Sequence, residues 1–271
     1  MYNKALDAKE YIESKISTKP QTAIVLGSGL TSIMDELEDK VELLYEDIPN
    51  FKTSTVKGHT SKLISGVLNG KDVLLMSGRF HYYEGYSMKD LTFPIYVFKL
   101  LGIKNLILTN SCGGISTDKV QPGSIMVVND FINLMPSNPL IGENDERFGP
   151  RFPDMTEPYD LELRQIAEAK AKKLAIPYVE GVYTGFMGPY YETKAEIQMI
   201  KTLGSDAVGM STVPETIVSH YLGIKTLAFA TITNMATGIQ KVKHSHDNVV
   251  KVAGIASKNL ALWIKEIVAE L

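Results

Sequence analysis

Cysteine is nearly missing from this chain of 271 residues: Cys112 stands alone, which excludes an internal disulfide and a cysteine-rich zinc site. An excess of one charge sign is missing too. Lys and Arg number 28 against 31 Asp and Glu, so no chain-wide basic field exists for non-specific binding of nucleic acid, and any phosphate must be held locally. The opening residues Met1 to Lys19 include Lys4, Asp7, Lys9, Glu10 and Glu13 without a long apolar run. They read as neither signal peptide nor membrane span, and a cytoplasmic location without membrane partners is expected. No internal repeat, low-complexity tract or composition break marks a linker. With 44% hydrophobic residues the chain is ample for one large core, and a single domain over 1–271 is expected.

What is present is an alternation. Apolar, β-rich runs fall at Thr22 to Leu26, Val73 to Ser77, Leu106 to Thr109, Ile125 to Val128, Val179 to Tyr183, Ala207 to Met210 and Leu227 to Thr233. Helical patterns occupy 3–16, 87–101, 159–175, 194–203, 213–222 and 247–270 between them. The pattern is α/β with a largely parallel central sheet, and strand ends are where a site should form. Asn133 to Glu157, rich in proline and charge, is long for a plain connection and reads as functional or interfacial.

The segment Gly78-Arg79-Phe80-His81-Tyr82-Tyr83-Glu84-Gly85-Tyr86 follows an apolar run and brings a cation together with aromatics, as the wall of a site for an anion joined to a flat or sugar-like group would. A surface loop with snorkelling aromatics fits the same residues. Gly27-Ser28-Gly29 could offer amides and a hydroxyl to phosphate. As a dinucleotide fingerprint it fails, because the third glycine position is Ser32. Asn110-Ser111-Cys112-Gly113-Gly114 and Gly209-Met210-Ser211 read as two more polar strand-end loops.

Helix caps sort the carboxylates. Thr212-Val213-Pro214-Glu215 has capping-box spacing with proline expected at the first helical position, so Glu215 is expected to be a cap without a catalytic role. Thr193 and Glu196 repeat the spacing, which leaves Glu192 just outside the helix as the carboxylate available to a heterocycle.

These pieces, with Gly58-His59, Thr109-Asn110, Asn144-Asp145-Glu146-Arg147-Phe148-Gly149, Gly188-Pro189 and Thr233-Asn234, occur in an order that resembles the trimeric, low-molecular-mass purine nucleoside phosphorylases along nearly the whole chain. The resemblance implies one nucleoside phosphorylase domain, with a central mixed β-sheet flanked by helices. It also implies reversible phosphorolysis of a purine (deoxy)ribonucleoside to free base and (deoxy)ribose 1-phosphate. No cofactor is implied, since inorganic phosphate is a co-substrate. No metal is expected either: His244 and His246 lack a clear third ligand.

By the same resemblance Ser28, His59, Arg79, His81, Ser111 and Ser211 surround phosphate, with Arg79 able to make a two-pronged contact. Tyr83, Met210 and His246 contact ribose, and Tyr191, Glu192 and Asn234 take the base. His81, Glu192 and Asn234 are the residues expected to carry catalysis. The related methylthioadenosine phosphorylases have aspartate where this chain has Asn234, which points to 6-oxopurines such as inosine and guanosine, and to purine salvage. Phe152 matches a phenylalanine that family members donate to a neighbouring subunit, so a homotrimer is implied. Two departures stand out: Tyr191 replaces the phenylalanine of animal members, and Ser111-Cys112 replaces a pair of alanines.

Overall fold

All five residues of Thr22–Leu26, the first strand (β1), are buried, as expected of a strand covered on both faces. Ala23 and Val25 pack into one apolar cluster, whereas Ile24 and Leu26 pack into a second. This alternation builds the molecule. The computed structural model describes residues 1–53, 61–240 and 245–271, with backbone only at His246.

The remaining strands are β2 (Glu38–Leu44), β3 (Lys62–Leu68), β4 (Lys71–Ser77), β5 (Asn105–Gly114), β6 (Ile125–Asn133), β7 (Val179–Gly185), β8 (Ala207–Gly209) and β9 (Lys225–Met235). They form one sheet in the order β2-β3-β4-β1-β5-β8-β7-β6-β9, and β5 also pairs with β9, so strands β5 to β9 close on themselves. The sheet is mixed rather than largely parallel: β2–β3, β3–β4, β5–β8 and β6–β9 are antiparallel. Strand β1 runs parallel to β4 and β5, and β5 runs parallel to β9. The C-terminal ends of these four strands therefore share one edge, where a site in such a sheet belongs.

Helices α1 (Tyr2–Lys15), α2 (Met88–Leu100) and α5 (Val213–Tyr221) contribute to the first cluster. Helices α3 (Leu161–Leu174) and α6 (His246–Val268) contribute to the second, where buried Trp263 donates its indole N–H to the Ala167 carbonyl at 2.8 Å. The capping box expected at Thr193 and Glu196 is present and starts α4 (Lys194–Thr202). Residues 134–160 form no helix or strand, yet the segment is anchored: the Tyr221 hydroxyl donates to Asn144 Oδ1 at 2.9 Å. A Cβ at Gly149 would lie 2.2 Å from the Tyr221 carbonyl oxygen, so only glycine permits this approach.

Candidate active site

One cleft of roughly 750 Å3, counting its open mouth, lies where these strand ends meet, within the usual size range of small-molecule sites. Its wall includes Ser28, Arg79, His81, Tyr83, Ser111, Tyr191, Glu192, Met210, Ser211 and Asn234, so ten of the residues expected from the sequence come together. His59 and the side chain of His246 lie outside the described residues; by its backbone, His246 is the first residue of α6. Phe152 is not part of this wall and stands 86% exposed on the irregular segment, with the Arg151 guanidinium 5.5 Å from its ring centre.

The floor is β5, which runs through the residues expected to form a glycine-rich loop and ends at Gly114 because β9 pairs with it along its length. The turn after β1 is stapled to this floor. The Gly27 N–H donates to Thr109 Oγ1 at 3.0 Å, and Ser111 Oγ donates to the Ser28 carbonyl at 2.8 Å. A Cβ at Gly27 would sit 2.7 Å from Asn110 Cα and 2.8 Å from the Thr109 carbonyl oxygen, both backbone atoms that cannot swing aside. Gly27→Ala is therefore expected to cost about 2–3 kcal/mol by overpacking. An unchanged urea midpoint in equilibrium unfolding would contradict this.

Arg79 is only 2% exposed. Its Nη1 donates to Thr212 Oγ1 at 3.2 Å and lies 3.5 Å from Glu215 Oε1, while Nη2 donates to the Val25 and Thr109 carbonyls. Both terminal nitrogens thus engage protein partners, with the Glu215 carboxylate as counter-charge. The same network overturns the capping box expected at Thr212. Thr212 Oγ1 makes no cap bond to α5 and accepts from Arg79 and from Asn110 Nδ2, and Glu215 pairs with Arg79 instead. A buried guanidinium needs its counter-charge more than a helix needs a second cap bond. Thr212 takes φ 73°, ψ −49°, a costly conformation for a β-branched residue, beside Ser211.

His81 Nδ1 lies 3.1 Å from Glu84 Oε1, which also accepts the His81 backbone N–H at 2.8 Å. Burial lowers the His81 pKa despite the opposing Glu84 hydrogen bond. This favours the neutral imidazole, with Nδ1 turned to the Glu84 carboxylate. Tyr83 stacks on His81 with ring centres 4.7 Å apart.

The same cleft carries the residues expected to take the base. Gly188, at φ 64°, lets its loop close down; a Cβ there would lie 2.5 Å from Met210 Sδ and 3.1 Å from Tyr83 Cδ1. Beyond it stand Tyr191, 38% exposed at the mouth, and Glu192, only 5% exposed. Burial raises the Glu192 pKa above the ordinary glutamate value. Asn234 is presented from within β9, its Nδ2 donating to Thr233 Oγ1 at 3.1 Å, and a Cβ on Gly113 would come 3.2 Å from its Oδ1. The Cys112 thiol is pushed up by burial, then by Glu192, and stays protonated. It offers no nucleophile.

Asn110, Cys112 and Val249 are among the wall residues outside the expected set. Asn110 and Cys112 were visible within a polar strand-end run, but Val249 carries no chemical signal in the sequence.

Comparison with known proteins agrees with this geometry. Residues 21–269 match the family described as the phosphorylase superfamily. Purine nucleoside phosphorylase 1 of Bacillus subtilis is 48% identical over 97% of either chain. The Bos taurus purine nucleoside phosphorylase is 39% identical, over 100% of this chain and 96% of that one. Isoform 2 of the Schistosoma mansoni enzyme, solved with cytosine and ribose-1-phosphate, superposes with a TM-score of 0.94 at 39% identity, covering 100% of this chain and 97% of that one. The chain belongs to the phosphorylase superfamily and, within it, to the purine nucleoside phosphorylases, and it is an enzyme.

Proposed function

We propose that this enzyme catalyses the reversible phosphorolysis of 6-oxopurine (deoxy)ribonucleosides, inosine and guanosine among them, in cytoplasmic purine salvage. One observation carries the reading: Arg79, His81 and three serines line the same cleft as Glu192 and Asn234. An anion subsite and a heterocycle subsite thus share one cavity, with Tyr83 and Met210 also on its wall.

In this reading Ser28, Ser111 and Ser211, with His59 and His81, surround phosphate beside Arg79. Tyr83, Met210 and His246 hold the ribose. Tyr191 covers the purine and ionised Glu192 accepts its N1–H. Asn234 hydrogen-bonds the O6 and N7 edge as negative charge gathers on the departing base. The glycosidic bond lengthens, the sugar becomes oxocarbenium-like, and phosphate on the opposite side takes the anomeric carbon in a single displacement. No covalent enzyme intermediate is required.

Inosine incubated with and without phosphate tests the reading. Phosphate-dependent hypoxanthine release supports it; turnover confined to another nucleoside, or binding without product, contradicts it. A pH profile gives a second check. Because burial raises the Glu192 pKa, ionised Glu192 is lost sooner as pH falls, and kcat/KM for inosine should drop at a pH above 4.5, the ordinary glutamate value. Glu192→Gln should lose that acid limb, and a limb of the same position in the variant would remove Glu192 from the argument.

The exposed Phe152, held out by an anchored segment, and the open mouth at Tyr191 support a homotrimer in which each subunit lends Phe152 to its neighbour. Phe152→Ala is expected to raise the inosine KM with the assembly intact by sedimentation. A fully active monomer would refute the arrangement.

A further inference from the structure

The sheet releases the chain just before the cleft. Strand β4 pairs with β1 and β3 as far as Ser77, and Gly78 then turns at φ 97°, which glycine tolerates and other residues rarely adopt. Arg79 and His81 follow on the cleft wall, while Phe80 between them packs into the first apolar cluster. Side chains alternate between faces where the chain is extended, as at His81 with φ −122° and ψ 151°, so whatever holds Phe80 also directs Arg79 and His81. Tyr45 holds it. Fully buried and not part of the cleft wall, Tyr45 donates its hydroxyl to the Gly78 carbonyl at 2.7 Å and meets Phe80 edge-on, with ring centres 5.5 Å apart. Both chain neighbours of Arg79 are thus gripped by one side chain. Burial raises the Tyr45 pKa well above the ordinary tyrosine value, against the opposing charge of Arg79, so the hydroxyl stays a donor. Tyr45 is itself held from the sheet: it follows the last β2–β3 pair, Leu44 with Lys62, and its N–H donates to the Ser61 carbonyl at 2.9 Å. Phenylalanine would serve packing alone; the hydroxyl adds the bond to Gly78.

We propose that Tyr45 is a positioning residue: by holding the Gly78 carbonyl and the Phe80 ring it aims Arg79 and His81 into the cleft, and so sets how tightly the enzyme holds its anionic co-substrate. This rests on the phosphorolysis reading above and adds to it a residue that never touches substrate.

The experiment compares the wild type with Tyr45→Phe, Phe80→Leu and Trp263→Phe by phosphate calorimetry, inosine and phosphate kinetics, and thermal melts. Tyr45→Phe keeps the ring and removes the donor. Its Kd and KM for phosphate are expected to rise about fivefold to tenfold, the size of leaving one buried carbonyl unsatisfied, while the inosine KM at saturating phosphate moves less than about twofold. Trp263→Phe also strips a buried donor from a backbone carbonyl, but in the second cluster, so it should lower Tm and leave phosphate binding unchanged. That control separates positioning from lost stability. Phe80→Leu breaks the other half of the grip and should weaken phosphate in the same direction; it is the variant to read should Tyr45→Phe not fold. A Tyr45→Phe enzyme that melts lower with its phosphate Kd unmoved, or equal rises in the phosphate and inosine KM, would overturn the proposal and leave Tyr45 a core residue. Calorimetry reads phosphate without turnover, so a wild type that binds phosphate yet releases no base from inosine would count against the reaction and leave the Tyr45 assignment to be decided by the variant's Kd.

Discussion

Replacing Asn234 by alanine is expected to lower kcat for inosine phosphorolysis by about 10²–10³, the range for removing one preorganised hydrogen-bonding group from the site of developing charge. The side chain is well placed for such a role. It projects from β9, whose neighbouring Thr233 hydroxyl both accepts from Asn234 Nδ2 and donates to the Cys112 carbonyl at 3.1 Å, so the amide is braced by the sheet. Gly113 faces it and leaves room for a ligand. If Asn234 acts mainly on the departing base, the loss falls on kcat, with the inosine KM moving little, because the interaction strengthens only as the bond breaks. An alanine variant that keeps its kcat and changes only KM would reduce Asn234 to a binding residue.

Asn234→Asp is expected to raise the adenosine-to-inosine ratio of kcat/KM, mostly through loss of inosine turnover. A carboxylate suits the 6-amino donor of adenine, whereas opposite the O6 of inosine it sets acceptor against acceptor. In the proposed reading Glu192 works in the same sense from the other edge. Adenosine has no N1–H, so the buried carboxylate would meet a lone pair, and mismatches of that kind discriminate by about 10⁴. Because Glu192 still opposes adenosine, the single variant should move the ratio by roughly tenfold to a hundredfold, well short of reversing it. The measurement is paired kinetics on the two nucleosides at saturating phosphate; an unmoved ratio would take Asn234 out of the specificity account.

Much of this was legible in the sequence because the central strands are buried on both faces. Thr22–Leu26 is five apolar or small residues ending at glycine, and the run at Val73 to Ser77 likewise stops at Gly78. Strand β2 was not legible. Its residues Glu-Asp-Lys-Val-Glu-Leu-Leu are mostly exposed at the sheet edge, and its register with β3 shifts between Glu38 and Val41, so no two-residue alternation survives. The end of β5 was hidden for another reason: Asn-Ser-Cys-Gly-Gly has loop composition, and pairing with β9 and β8 extends it as a strand. At Thr212 the local signal was sound, but a partner 133 residues away in sequence, Arg79, claimed the hydroxyl, and its charge claimed Glu215. Local rules fail where a buried charge must be answered from a distant element.

Phosphorus NMR of inosine, phosphate and enzyme in one tube tests the central claim most directly, that a single cleft brings an oxyanion onto the anomeric carbon as the purine leaves. The account predicts ribose 1-phosphate of the inverted, α configuration, formed mole for mole with hypoxanthine while the inorganic phosphate signal declines. Hypoxanthine appearing with free ribose and an undiminished phosphate signal would contradict it.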